Sequence, residues 1–158
     1  MCYQRDTFSF CHIKGLFFRS LIWVFAYIKR DTTLREWQAI KVADHLRVIG
    51  LPKPALKIAK SVFYSSENRR NKFWSCHLTA TSLQYLSRYC ESDDFFEQAL
   101  EIADELERSF ALQHHGKSLV EQGKKNLAKR KLKEALEIRT RLRHAELVHS
   151  TQLALIHL

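Results

Sequence analysis

The chain has 158 residues with only four glycines and two prolines, long enough for one domain with a real core and better suited to helices than to sheets, so an all-α protein is expected. Basic residues exceed acidic ones by nine, but residues 1–72 hold 14 basic and 5 acidic side chains while residues 73–158 hold 12 of each, so the net charge belongs to the first half. Cys2, Cys11, Cys76 and Cys90 form no CxxC pair, which excludes a dense disulfide framework and suits free thiols in a reducing, cytoplasmic compartment.

Residues 1–31 form an apolar, basic first segment. From Leu16 to Ile28 the side chains of Phe17, Phe18, Leu21, Ile22, Trp23, Val24, Phe25 and Ile28 cover every side of a helix. The run between Gly15 and Lys29 is 13 residues long and contains Arg19, whereas a bilayer crossing takes about 20 residues. Extension back to Phe8 would place Arg19 near the centre, at about 2.5–3.5 kcal/mol. No small-x-small cleavage site follows, which disfavours a secretory signal. The expectation is a buried helix capping the remainder; Lys14, Arg19, Lys29 and Arg30 keep an interfacial anchor as the alternative.

Residues 32–158 read as alternating helices. Side chains from Asp31 to Thr33 can cap a helix running through Trp37, Ile40, Ala43, Leu46 and Ile49, which Gly50 ends. Pro52 and Pro54 fit the first turn of its partner, whose apolar face is Ala55, Ala59, Val62 and Phe63. The polar stretch from Ser65 to Lys72 reads as a loop. A second pair is expected over about 73–89 and 93–108, with Ser92 to Asp94 as the cap of its second helix. A third covers about 110–122 and 127–143, broken around Gly123, and a lone helix follows over 144–158.

Ala99 to Ile102 repeats as Ala135 to Ile138, and Leu83 with Leu119, Phe96 with Leu132 and Leu106 with Leu142 share the same 36-residue spacing. Such a period over helix pairs marks units that bury their apolar faces by stacking on neighbours. Small residues recur at Ala43, Ala80, Gly116 and Ala154, where they let helices cross closely. The third unit reads Leu112, Gly116, Leu119, Gly123, Ala128, Leu132, Ala135, Leu136; the second, Cys76, Ala80, Leu83, Ser87, Ser92, Phe96, Ala99, Leu100; the first, Ala39, Ala43, Leu46, Gly50, Ala55, Ala59, Val62, Phe63. These residues resemble the tetratricopeptide repeat family over about 35–158, with units at about 35–66, 73–108 and 109–143. The spacing exceeds the common 34 residues, which is closer to the long repeats of kinesin light chains and bacterial regulators.

The resemblance implies an antiparallel helix-pair solenoid, a right-handed superhelix whose first helices line a concave wall that binds a peptide or partner protein. Carried over residue by residue, that wall comprises Trp37, Asp44 and Arg47, then Trp74, His77, Thr81, Gln84 and Tyr85, then Gln113, Lys117 and Glu121. Each tryptophan taken alone also reads as a core residue at a helix start.

Charge gives a second reading. Residues 88–108 hold eight acidic and two basic side chains, and residues 117–143 hold ten basic and three acidic. Mutual attraction of neighbouring helices accounts for this at under about 1 kcal/mol per exposed pair. Alternatively Lys124, Lys125, Lys129, Arg130, Lys131 and Lys133 form a patch for nucleic acid or another acidic partner, and the basic N-terminal half suits an accessory protein for nucleic acid or an anionic membrane surface. Catalysis, a metal and a cofactor find little support: His114, His115, His144, His149 and His157 show no zinc-site spacing, and Cys76 and His77 point to different sides of a helix. In the last helix Leu147, Val148, Leu153, Ala154, Leu155, Ile156 and Leu158 occupy both sides of the axis, so a second copy, another partner, or in a longer parent protein a further helix, is expected to cover one of them.

Overall fold

The computed structural model describes residues 10–156 and Leu158, and these are all-α: eight helices and, among the described residues, no strand. Cys2, His157 and the extension of the first apolar run to Phe8 lie outside the described residues. The helices are α1 (Phe10–Ile28), α2 (Thr32–Val48), α3 (Pro52–Ser65), α4 (Arg69–Tyr85), α5 (Tyr89–Ile102), α6 (Glu105–Glu121), α7 (Lys125–Arg141) and α8 (Ala145–Ile156). They fall into two compact units, one ending at Phe95 and the other running from Phe96 to Leu158.

Local chemistry fixes the boundaries, and it recurs. The Asp31 carboxylate accepts from Leu34 N at 2.8 Å, Asn68 Oδ1 from Asn71 N at 3.0 Å, and Asp104 Oδ1 from Glu107 N at 2.8 Å. Each satisfies an amide that the first helical turn leaves open. At Asp104 the cap is reciprocal, because Glu107 Oε2 accepts from Asp104 N at 3.0 Å. The three helices so started, α2, α4 and α6, are each 17 residues long. They stop alike: Gly50, Ser87 and Gly123 turn left-handed at φ 89°, 57° and 75°, and the following amide donates back to Leu46 O, Leu83 O and Leu119 O at 2.8, 3.0 and 2.9 Å. Caps and stops thus share the intervals of 37 and 36 residues.

Three expected boundaries move. The stretch from Ser65 to Lys72 is not all loop, since the Asn68 cap starts α4 at Arg69 rather than near Phe73. The second helix of that pair starts at Tyr89 rather than Asp93, because the left-handed Ser87 reverses the chain at once. Ser92 is therefore inside α5, where its buried hydroxyl donates to Ala80 O at 2.9 Å instead of capping. The capping box at Asp104 starts α6 five residues before Phe110.

In the unit ending at Phe95, α1 packs on α2, α2 on α3 and α4, and α3 on α4. Its core is Ile40, Ala43, Ala55, Ala59, Val62 and Leu78, against which Trp37, Leu46, Ile58 and Trp74 pack. Every residue of α4 from Ser75 to Gln84 is buried. Three of the hydroxyls there are satisfied within the helix, Ser75, Thr79 and Thr81 donating to Lys72 O, Ser75 O and Leu78 O at 3.1, 2.8 and 3.1 Å, while the Ser82 hydroxyl is buried without a partner among the described residues. The expectation that α1 is buried fails. It is 19 residues long and leans on α2, yet Ala26 is the one buried side chain described on it.

In the unit from Phe96, α6 packs on α7 and α7 on α8. Ala99, Ala111, Ala128 and Ala135 are fully buried, and Gly116 lies so close to Leu132 that a Cβ there would meet its Cγ at 2.7 Å. The charged residue Arg139 is fully buried as well. Its guanidinium donates to Ser109 Oγ at 3.1 Å, Thr151 Oγ1 at 2.7 Å, Leu147 O at 3.3 Å and Gln113 Oε1, and it stacks 5.0 Å from the centroid of Phe110. One side chain of α7 thereby ties α6 and α8 together. Burial pushes its pKa down to about 10, so it remains charged at neutral pH.

Candidate partner-binding site

The residues expected to meet a partner divide by depth. Arg47, His77, Thr81, Gln84 and Gln113 are buried, each 6% exposed or less, so a ligand resting on this surface does not reach them without displacement of their neighbours. Trp37, Asp44, Trp74, Tyr85, Lys117 and Glu121 are half-buried. Gln113 is committed to structure, accepting from Arg139 and donating from Nε2 to Ser150 Oγ at 3.1 Å. His77 lies parallel to Phe73 at 5.9 Å and edge-on to Trp74 at 5.6 Å.

What remains on α2 and α4 is a cationic, aromatic cluster. Successive turns of α2 place Lys41 Nζ 4.7 Å from the centroid of the Trp37 ring, and the start of α4 places Arg70 Cζ 4.3 Å from the same ring. One turn further along α2, Arg47 Nη2 donates to Asp44 Oδ1 at 2.9 Å while its guanidinium lies 4.9 Å from the centroid of the Tyr85 ring. Burial lowers the Lys41 pKa, nearby Arg19 and Arg70 lower it further, and Asp44 opposes them. Desolvation raises the Asp44 carboxyl, but Arg47, Lys41 and His45 together hold it below its ordinary value. The net surface is positive and rigidly spaced, able to accept carboxylates beside an aromatic ring. Lys41 was legible as the i+4 neighbour of Trp37; Arg70 was not, because its approach depends on how α4 packs on α2.

The basic stretch on α7 is partly neutralised within its own unit. Lys131 Nζ pairs with Glu97 Oε1 at 2.8 Å and Arg141 with Glu105, while the α7 carboxylate Glu134 is itself taken by Arg108 Nη2 of α6 at 2.7 Å. Lys124, Lys125, Lys129, Arg130 and Lys133 are exposed. His115 is buried and stacked on Phe96 at 5.0 Å, and the Cys76 thiol donates to Phe95 O at 3.2 Å, so both serve packing. Cys11 and Cys90 are exposed free thiols. Among the described residues no group of three His, Cys, Asp or Glu side chains is placed to hold a metal ion. No protein-family model matches this chain, nor does any curated protein or solved structure.

Proposed function

We propose that the chain is a non-enzymatic helical-repeat scaffold of tetratricopeptide-like design, with α2–α3, α4–α5 and α6–α7 as antiparallel pairs of one solenoid, and that it binds an acidic peptide segment of a partner protein on the surface of its first helices. The observation that carries the reading is the recurrence of cap, helix length and left-handed stop at 37 and 36 residues in α2, α4 and α6, with small residues fully buried at Ala43 and Ala80 in the same register. Repetition of structure without repetition of charged surface suits recognition better than chemistry, since each unit offers a different set of side chains in one frame. The Lys41, Arg70 and Trp37 cluster, with Tyr85 alongside, supplies the binding chemistry.

Selection from a random displayed peptide library tests this. Peptides rich in Asp and Glu should be enriched, and Lys41→Ala with Arg70→Ala should weaken the best of them about tenfold while leaving helicity unchanged. Raised salt should weaken binding by the exposed charges but not abolish it, because part of the contact is aromatic. Absence of enrichment, or an unaltered affinity in the double variant, would reject the site.

A further inference from the structure

The first helix is amphipathic in the reverse sense to a helix on a water-soluble protein. Its small and polar residues face α2: Ala26 is fully buried, a Cβ on Gly15 would meet His45 Nε2 at 2.6 Å, Arg19 Nη1 donates to Gln38 Oε1 at 3.5 Å, and the Nδ1 atoms of His12 and His45 lie 3.3 Å apart. Its opposite face carries Ile13, Phe17, Leu21, Val24, Phe25 and Ile28, each between 47% and 71% exposed. Small and polar residues toward a neighbouring helix with large apolar ones outward is the arrangement that lipid selects and water penalises.

We infer that α1 lies in the plane of an anionic lipid bilayer, inserting this outward face among the acyl chains while α2 holds its other side. Charge selects this occupant. No Asp or Glu occurs in α1, whereas Lys14, Lys29 and Arg30 are exposed on it or just beyond its end. Two copies of α1 face to face would oppose like charges; a surface that offers both hydrocarbon and negative headgroups satisfies both features. Trp23 and Tyr27 sit at one border of the apolar face, where an amphipathic ring meets headgroups, and the Arg35 guanidinium lies 5.8 Å from the Tyr27 ring centroid. Beyond Trp23 a cavity of about 500 Å³ is bordered by Arg35 and Lys57 together with Glu36.

Cys11–Ile28 is long and apolar enough by length and composition to cross a membrane, but the packing argues for the in-plane pose. A crossing would drag α2, with Arg35, Lys41, Asp44 and Arg47, into the hydrocarbon, or strip α1 from it and leave Arg19 without Gln38 at mid-depth. This inference is independent of the peptide site, since it uses the side of α1 away from α2.

Flotation of the full chain with vesicles tests it. Binding to phosphatidylcholine vesicles containing about 30% phosphatidylserine should exceed binding to pure phosphatidylcholine at least about tenfold. Phe17→Glu with Leu21→Glu should abolish it with the far-ultraviolet circular dichroism unchanged, because neither side chain packs in the core. Lys14→Glu with Lys29→Glu should remove the preference for the anionic vesicles. Release of the bound chain by alkaline carbonate would support the in-plane pose. Retention after that wash would mean a crossing helix, and no flotation, or flotation unaffected by Phe17→Glu/Leu21→Glu, would overturn the inference. So would a concentration-dependent dimer that the double glutamate variant abolishes in the absence of any vesicle binding.

Discussion

Gly116 and Arg139 show how single side chains are constrained in the unit from Phe96. In most helices Gly→Ala gains about 1 kcal/mol of propensity, but at Gly116 the new Cβ would lie 2.7 Å from Leu132 Cγ and 3.3 Å from Ala128 O. Leu132 is fully buried and has nowhere to retreat. Gly116→Ala is therefore expected to destabilise by about 1–3 kcal/mol, read as a lower urea midpoint; a rise in midpoint would show the crossing to be looser than described. Arg139 buries a positive charge among uncharged acceptors, and Arg139→Ala would open a cavity and leave Gln113 Oε1 without that donor. The loss expected is about 3–5 kcal/mol. Arg139→Met, which keeps volume without charge, should recover part of it in the same urea titration.

The elements are set by their ends. Ser87 adopts the left-handed conformation that Gly50 and Gly123 adopt at the equivalent stops, and a non-glycine residue held there costs about 1 kcal/mol. Ser87→Gly should raise the thermal midpoint and Gly123→Ala should lower it, a pair of opposite signs that a purely sequence-local view of glycine as destabilising would not give. The attachment of α1 to α2 is expected to depend on pH. His45 faces His12 and Arg19 from α1 and Lys41 and Asp44 from α2; burial lowers its pKa below 6.5, Asp44 opposes, and the neighbouring His12, Arg19 and Lys41 side chains lower it further. A depressed histidine pKa means the detached state binds the proton more readily, so the contact is strongest above about pH 6.5 and weakens as pH falls through the lowered value. Proteolysis within α1 should accelerate at pH 5 relative to pH 7.5, and His45→Gln should flatten that dependence.

Across the molecule, burial is uneven enough to predict a stability profile. α4 is buried without interruption from Ser75 to Gln84, while α1 has Ala26 and α8 has Thr151 and Ala154 as their buried described residues. Amide hydrogen exchange should be slowest in the middle of α4 and fastest in α1 and α8. Comparable protection in α1 in the absence of lipid would mean that its outward face is covered in solution by something other than water.

The sequence by itself determined what depends on neighbours a turn away: helical class, the cap at Asp31, the stop at Gly50, the placement of Pro52 and the 36-residue recurrence. Asn68 and the pair Asp104 with Glu107 carried the same local signal. Only tertiary packing decided depth. Periodicity assigns a residue to one side of a helix but not how far the next helix covers it, which is why Arg47, His77, Thr81 and Gln84 were legible as one face and yet lie inside. Judged by its large apolar side chains alone α1 is apolar all round, so the side that meets the protein was decided by close approach at Gly15 and Ala26, with the larger side chains left outward. The burial of Arg139 was equally invisible, because its acceptors come from α6 and α8, which only the packing of α7 brings to its guanidinium.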